Sequence, residues 1–301
     1  MNPWLPTAPC TPRTCAGHDG PTRPRPLAAA LLCAGCALVL AGALGAPFVL
    51  MLGPTRRERL IRRWARGVVR AFGVRVRITG GQAPDNAPRT APGTLVVANH
   101  ISWLDIPLVA AVYPGRMLAK REIAAWPVLG PLATAGGTLF VERDRLRALP
   151  TTVREIGAAL REGSRVIAFP EGTTRCGRGG GRYGPAVFQA AIDADAEIRP
   201  VRISYRIRPP RGTGRGGRAS GPACCAPAEP QGPAGAAAFV GDDPLTASLW
   251  RVVTAAGLTA DIRVLPPIRA GDRPDRRALA RFAQTAVAND SANRSAESVH
   301  H

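Results

Sequence analysis

The sequence predicts an α/β domain preceded by two N-terminal helical segments, and three patterns support this prediction. From Val74 onward, short runs rich in β-branched residues alternate with stretches of helical periodicity, which is typical of layered α/β proteins. Before that domain, residues 27–53 carry no charge. Residues 55–72 then combine an apolar repeat of four with many arginines. Without these segments the chain is long enough for about one domain.

The N-terminal part predicts a tail and a membrane anchor. Residues 1–26 are rich in Pro, Thr, Gly and Cys, which favours a disordered tail. The uncharged run 27–53 exceeds the roughly 20 residues that span a bilayer as a helix. A cleavable signal peptide is the alternative, because Ala41, Ala43 and Ala46 resemble a cleavage site, but a typical signal core has only about 7–15 apolar residues.

Charge predicts which way the anchor is oriented and what the domain contacts. Nine arginines follow the uncharged run within residues 56–77, whereas three precede it, so the main domain is expected on the cytoplasmic side of the cell membrane. The formal net charge of +19 favours an anionic membrane surface as partner. We expect no nucleic-acid partner, because no binding motif for one is visible.

Residues 55–72 predict an amphipathic helix at the membrane interface. Leu60, Trp64, Val68 and Phe72 repeat every four residues, and arginines fill the opposite face. Such a helix can bury its apolar side among acyl chains and bind lipid phosphates with its arginines. A helix of the folded domain with a solvated basic face has the same pattern and stays open as an alternative.

The domain itself is predicted over residues 74–288. The predicted strands are Val74–Ile78, Leu95–Ala98, Thr138–Val141, Arg165–Phe169, Ile198–Ser204 and Ile262–Leu265. The predicted helices are 103–113, 145–162, 185–194, 244–256 and 275–288. Residues 208–236, dominated by Pro, Gly, Arg and Ala, predict a flexible insertion, and 289–301 a disordered tail.

The seven cysteines predict neither a disulfide framework nor a metal site. Their number is odd and they are scattered along the chain. Cys33 and Cys36 have the CxxC spacing of zinc and redox sites, but they lie in the apolar run without a second ligand pair.

The residues that suggest chemistry follow predicted strands. His100 directly follows the strand that ends at Ala98, and a turn could return Asp105 to its imidazole. An Asp on one ring nitrogen leaves the other nitrogen as a base. A loop histidine near a helix-capping Asp is the alternative. In a second block, Gly136–Arg143, the predicted strand places Arg143 at its end. A third block, Phe169–Thr174, again comes after a strand, and a further strand contains Pro200.

These four blocks, in this order, resemble the glycerophospholipid acyltransferase superfamily. They are Asn-His-x4-Asp, Gly-x-x-Phe-x-x-Arg, Phe-Pro-Glu-Gly-Thr and a Pro-containing strand, and the resemblance covers residues 27–207 well and 239–268 more loosely. It implies a layered domain with a mixed sheet flanked by helices. It also implies O-acyl transfer from acyl-CoA or acyl carrier protein to the free hydroxyl of a lysophospholipid, with no metal and no cofactor.

The resemblance also implies roles for individual residues. His100 would remove the proton of the acceptor hydroxyl, and Asp105 would orient His100. Arg143 would hold the anionic group of the acceptor. The remaining acceptor-binding residues would be Asn99, Glu171, Gly172 and Thr173.

One departure from the family pattern leaves the acceptor open. Enzymes that acylate lysophosphatidate commonly carry Arg after Phe-Pro-Glu-Gly-Thr, whereas this chain has Thr174 there and Arg175 one residue later. We expect 1-acyl-sn-glycerol-3-phosphate as acceptor, with phosphatidic acid as product, and a lyso-ornithine lipid as the alternative. A hydrolase would need a protein nucleophile near His100, and none is evident. A nonenzymatic basic membrane-binding protein is the alternative from a different class.

Overall fold

The computed structural model of the chain describes residues 8–81, 93–142, 146–207 and 235–297. Within them, a single eight-stranded sheet forms the centre of the domain. Its strands are β1 (Arg75–Gly80), β2 (Thr94–Ala98), β3 (Arg116–Lys120), β4 (Leu139–Val141), β5 (Arg165–Ala168), β6 (Glu197–Ile207), β7 (Leu258–Val264) and β8 (Ile268–Arg269). The order is β1-β7-β6-β2-β5-β3-β4, with β8 beside β6. Among these strands the antiparallel pairs are β6 with β7 and β6 with β8, and the other pairs are parallel, so the sheet is mixed and the predicted fold class is confirmed.

Helices cover both faces of the sheet. They are α1 (Pro12–Cys15), α2 (Arg25–Leu50), α3 (Pro54–Ala71), α4 (Asp105–Ala110), α5 (Leu129–Ala135), α6 (Leu149–Arg161), α7 (Ala186–Asp193), α8 (Leu245–Thr254) and α9 (Arg276–Glu297). Leu95 and Val97 of β2 pack in one core with α6, α7 and α9, whereas Val96 and Ala98 pack in the other with α3, α4 and α8. Burial on both faces explains why β2 is a continuous apolar run.

Most predicted elements occur, and the missed ones have weak patterns. All six predicted strands and five predicted domain helices are present, with β7 beginning at Leu258 rather than Ile262. The predictions missed β3, whose sequence Arg-Met-Leu-Ala-Lys contains no β-branched residue and is only partly buried. They also missed β8, which has two residues. Pairing with buried neighbours, and not local preference, makes these segments strands.

The structure differs from the prediction at the C-terminal bound of the insertion and at the start of the C-terminal tail. Residues 208–234 lie outside the described part of the chain, but Gly235 and Ala236 are buried in a 3₁₀ turn, so the folded domain resumes before residue 237. Helix α9 continues to Glu297, well into the range 289–301 that was expected to be a tail. After Arg276 no Pro or Gly is present to end this helix. Residues 298–301 lie outside the described part.

The N-terminal helices α2 and α3 pack against each other and against the domain. Among the described residues, α2 is the one helix long and apolar enough to cross a membrane, and only 11% of its most apolar window is buried. The indole N–H of Trp64 donates to Leu38 O at 2.9 Å. A Cβ on Gly42 would lie 2.4 Å from the Trp64 ring, and one on Gly35 would lie 2.4 Å from the Phe72 ring. These glycines therefore let the two rings approach the backbone of α2.

This packing changes the interpretation of the apolar stripe on residues 55–72. Val68 and Phe72 belong to the hydrophobic core, and Trp64 packs against it. Leu60, one turn before Trp64, is exposed. The C-terminal part of the stripe therefore faces protein and not lipid, as the alternative of a domain helix predicts. The stripe gave no sign of this, because amphipathicity does not distinguish a protein surface from a membrane surface.

Residues 8–24 are folded, in contrast to the disordered tail expected over 1–26. Cys10, Cys15 and Ala16 are buried. The backbone N–H of Arg23 donates to Thr254 O at 2.7 Å, and its guanidinium donates to Val253 O and Gly73 O. These buried side chains and the hydrogen bonds of Arg23 attach the segment to the domain.

Candidate active site

The carboxyl ends of neighbouring parallel strands bring two of the polar blocks together. β2 and β5 are adjacent and parallel, so the loops after Ala98 and Ala168 leave the same edge of the sheet. The His100 ring stacks on the Phe169 ring with centroids 4.2 Å apart and planes at 20°. The backbone N–H of Arg175 donates to His100 O at 2.8 Å. The third block therefore fixes both the ring and the backbone of the histidine in the first.

His100 and Asp105 are hydrogen-bonded. Asp105 begins α4, is fully buried, and lies with its Oδ2 2.9 Å from Nδ1 of His100. The same oxygen accepts the backbone N–H groups of Ile101 at 2.6 Å and Ser102 at 2.9 Å. Those bonds orient the carboxylate. With Asp105 accepting from Nδ1–H, Nε2 of the 19% exposed imidazole carries the free lone pair, and no described residue bonds to it.

Tyr205 completes the surroundings of Asp105, and the sequence analysis missed it. Its hydroxyl donates to Asp105 Oδ1 at 2.6 Å, and its side chain is fully buried on β6. Burial, the negative charge of Asp105 and the hydrogen bond to it raise the pKa of Tyr205 well above 10, so it remains a donor at neutral pH. The alternation of buried residues at Val201 and Ile203 placed Tyr205 on the inner face, where a tyrosine hydroxyl needs a partner.

The amide of Asn99 connects two strands. Its Nδ2 donates to Ile203 O at 2.9 Å, and its Oδ1 accepts from Ile203 N at 2.8 Å. Both bonds join the end of β2 to β6 directly beside His100. The described contacts give Asn99 a positioning function, since both polar atoms of its amide already have backbone partners.

Glu171 and Arg175 form the buried polar part of the third block. Glu171 is almost fully buried, and Arg175 Nε lies 3.6 Å from its Oε2 in an ion pair without hydrogen-bond geometry. Burial raises the pKa of Glu171 to about 7, and Asp105 adds to this, whereas a backbone hydrogen bond from Gly181 and the charge of Arg175 lower it. The glutamate is therefore close to its titration midpoint at neutral pH. Among the described residues, Arg175 is the cation that pairs with Glu171.

The turn after Phe169 requires glycine. Gly172 has φ of +72°, and its N–H donates to Phe169 O at 3.0 Å. A residue with a Cβ would be strained there. The turn leaves Thr173 and Thr174 half-buried beside Glu171.

Arg143 lies outside the described residues, and β4 is the described strand that precedes it in the sequence. β4 runs parallel to β3 and ends at Val141, on the same edge of the sheet as His100. Glu142, the next residue, pairs with Arg121 at 3.2 Å. Lys120 ends β3 on this edge.

This geometry can activate a hydroxyl group of a substrate. It contains a partly exposed imidazole that a buried carboxylate orients, which is the arrangement of a general base. Ser102 is fully buried, and its Oγ accepts the backbone N–H of Leu104 at 3.3 Å. Its hydroxyl is therefore not accessible to a substrate, as the nucleophile of a hydrolase would have to be.

Comparisons with known proteins agree with this chemistry. A model of the family described as "Acyltransferase" matches residues 76–204. The 1-acyl-sn-glycerol-3-phosphate acyltransferase of Neisseria meningitidis is 33% identical over 226 residues, which cover 75% of this chain and 78% of that protein. The chain belongs to the acyltransferase family. It is thus an O-acyltransferase, and a nonenzymatic membrane-binding protein is excluded.

Two further relatives extend the comparison of this acyltransferase. The lyso-ornithine lipid O-acyltransferase of Pseudomonas aeruginosa is 35% identical over 231 residues, covering 77% of this chain and 78% of that protein. The crystal structure of the 1-acyl-sn-glycerophosphate acyltransferase PlsC from Thermotoga maritima superposes with a TM-score of 0.63 at 18% identity. That match covers 90% of the acyltransferase and 95% of the crystallised chain, and it establishes the shared fold.

Proposed function

We propose that the acyltransferase moves a fatty acyl group from acyl-CoA or acyl carrier protein to the free hydroxyl of 1-acyl-sn-glycerol-3-phosphate, which yields phosphatidic acid for phospholipid synthesis. The observation that carries the proposal is the bond from His100 Nδ1 to the buried Asp105 carboxylate, which leaves Nε2 as the base. Two curated relatives, from Neisseria meningitidis and Neisseria gonorrhoeae, carry the name of this activity at 33% and 32% identity.

The reaction needs one base and no protein nucleophile. Nε2 of His100 takes the proton of the acceptor hydroxyl while the oxygen of that hydroxyl attacks the carbonyl carbon of the thioester. The resulting imidazolium is stabilised by Asp105, whose negative charge is held by four hydrogen bonds: from His100, Tyr205 and two backbone N–H groups. Collapse of the tetrahedral intermediate breaks the C–S bond and expels the thiolate, which receives the proton from His100.

Charged groups on the same edge of the sheet suit an acceptor with a phosphate and hydroxyls. Arg143 follows β4, and we propose that it holds the phosphate in a bidentate contact. Lys120 ends the neighbouring strand β3 and adds positive charge. Oε2 of Glu171 is buried without a hydrogen-bond partner among the described residues, so a hydroxyl of the acceptor bound beside Gly172 and Thr173 would satisfy it.

A lyso-ornithine lipid is the second candidate acceptor. Thr174 stands where enzymes for lysophosphatidate commonly have Arg. Arg175, one residue later, is engaged with Glu171. The relative from Pseudomonas aeruginosa that carries the lyso-ornithine name is 35% identical to this chain. The phosphate site therefore has one positive charge fewer at the expected place.

A competition assay tests the proposal. Purified membranes containing the acyltransferase receive equal amounts of lysophosphatidate and a lyso-ornithine lipid, with acyl-CoA or acyl carrier protein as donor, and products are measured by mass spectrometry. We expect phosphatidic acid to dominate, and the His100→Ala variant to form neither product. Turnover of the lyso-ornithine lipid alone would refute the acceptor but not acyl transfer by His100.

We also propose that α2 anchors the acyltransferase in the cell membrane, with the catalytic domain on the cytoplasmic side against anionic lipids. Large apolar side chains at the C-terminal end of α2 support this, since Phe48 is 73% and Met51 84% exposed. The nine arginines that follow α2 support the orientation. After a carbonate wash the full-length chain should stay in the membrane pellet. A mature N-terminus near Ala46 would instead indicate a signal peptide.

A further inference from the structure

Three buried cysteines meet beside the loop that contains Glu171. The Sγ atoms of Cys10, Cys15 and Cys176 all lie within 4.8 Å of one another, and all three residues are buried. Two come from the N-terminal segment, and the third lies five residues after Glu171. The fold therefore brings together thiols that are more than 160 residues apart in the sequence.

The spacing of the sulfurs is close to that of a metal–thiolate site. A zinc–sulfur bond of about 2.3 Å in tetrahedral geometry places two sulfurs about 3.8 Å apart. Sulfurs within 4.8 Å of one another reach this spacing by moving together about 1 Å at most. Three thiolates leave a fourth position for an exogenous ligand or water, and thiolates select thiophilic ions such as Zn²⁺.

The surroundings of the sulfurs also suit bound thiolates. The backbone N–H of Arg178 hydrogen-bonds to the sulfur of Cys176, and Gly177, with φ of +80°, forms the turn between them. Thr14 Oγ1 lies 3.5 Å from Cys15 Sγ. Hydrogen bonds of this kind favour the charged form of a thiol. Buried thiolates need a neighbouring positive charge, which a coordinated metal ion supplies.

Apolar neighbours surround the three cysteines. Ala238 and Val240 are buried in the same cluster. An apolar shell excludes solvent from a structural metal site, but it also suits three thiols that simply pack as small apolar side chains. The two alternatives differ in one measurable property, which is the affinity of the cluster for a thiophilic ion.

We propose that Cys10, Cys15 and Cys176 bind a zinc ion that fastens the N-terminal segment to the loop after Glu171. Since Arg175 directly precedes Cys176, such a site would help to hold the Glu171–Arg175 pair in place. The inference goes beyond acyl transfer and does not depend on the acceptor. It also assigns metal binding to cysteines other than Cys33 and Cys36, whose spacing had attracted attention but which are exposed on α2.

A chain that keeps only the three clustered cysteines gives a direct test. The four others are replaced in a single variant: C33S, C36S, C224S and C225S. This chain is purified in detergent, reduced, freed of metal and titrated with Co²⁺, whose thiolate complexes absorb through charge transfer and tetrahedral d–d transitions. We expect one equivalent of Co²⁺ to bind and Zn²⁺ to displace it. Cys176→Ser in this background should weaken binding more than about 100-fold, because loss of an outer-shell partner alone costs about 10–100-fold.

Each remaining outcome overturns the proposal. If the three-cysteine chain binds no Co²⁺ while its circular dichroism matches that of wild type, the thiols only pack. If the charge-transfer band persists in the Cys176→Ser variant, the ion binds elsewhere. If thiol titration of the unreduced, unfolded chain finds one free thiol instead of three, two of the cysteines form a disulfide.

Discussion

The hydroxyl of Tyr205 offers a sharp test of how Asp105 is held. Tyr205→Phe removes the donor 2.6 Å from Asp105 Oδ1 and leaves that buried oxygen without this partner. A hydrogen bond to a charged group is worth roughly 1.5–3 kcal/mol, so the free energy of unfolding should fall by about that amount. If about 1.4 kcal/mol of the loss also appears in the transition state, where Asp105 stabilises the imidazolium, kcat falls about tenfold. KM for the acceptor should change little, because Tyr205 is fully buried.

Tyr113→Phe is the matched control for this prediction. Tyr113 is also fully buried, and no described residue hydrogen-bonds to its hydroxyl. Its loss should leave stability equal or slightly higher, because an unpaired buried hydroxyl is unfavourable. Denaturant unfolding in detergent and steady-state kinetics measure both variants. If Tyr205→Phe matched Tyr113→Phe in both unfolding free energy and kcat, the positioning function of Tyr205 would be refuted.

Three further predictions follow from the site. His100→Ala should lower kcat by roughly 10²–10⁴-fold, as loss of a general base does, and leave membrane binding measured by flotation intact. Glu171→Gln should remove one contribution to the pH dependence of stability. The pKa of Glu171 is raised from 4.5 to about 7 in the folded state, so its contribution to the free energy of unfolding is fully present below pH 4.5 and is lost, by roughly 3 kcal/mol, as the pH rises through 7. Unfolding measured across this range should therefore show a smaller fall for the Gln variant. Arg143→Lys should raise KM for the acceptor more than KM for the thioester in steady-state assays. Lys keeps the positive charge but cannot make the bidentate contact of a guanidinium group.

Each of these predictions has a result that contradicts it. More than about a tenth of wild-type kcat in His100→Ala would be incompatible with a general base. Parallel stability curves for wild type and Glu171→Gln would mean that Glu171 is not protonated by burial. Unchanged KM values for both substrates in Arg143→Lys would remove Arg143 from the acceptor site.

Local sequence patterns predicted the parts of the site that lie at strand ends. The strand before Asn99 is continuously apolar and the polar block follows at once, so His100 could be placed at the edge of a sheet. The meeting of His100 with Asp105 needed only a turn within one segment. The stacking of His100 on Phe169 followed from the pairing of β2 with β5, which no local pattern specifies.

The missed residues depend on contacts between distant segments. Tyr205 reaches Asp105 across 100 positions of the chain, and only the pairing of β2 with β6 brings them together. Cys10 and Cys15 meet Cys176 because the N-terminal segment packs on the domain, which its composition did not predict. For the same reason, β3 became a strand without β-branched residues.

The fit of two aromatic rings over glycines of α2 bears on how this enzyme could be made soluble. Truncation before Pro54 would remove Gly35 and Gly42 and leave the rings of Phe72 and Trp64 facing water. An aromatic side chain buries about 150–250 Å², so a truncated enzyme would expose a new hydrophobic surface next to its core. The side chains of Leu44, Phe48 and Met51 are exposed and do not cover these rings. Polar substitutions at those three positions, rather than deletion of the helix, are the rational route to a water-soluble form.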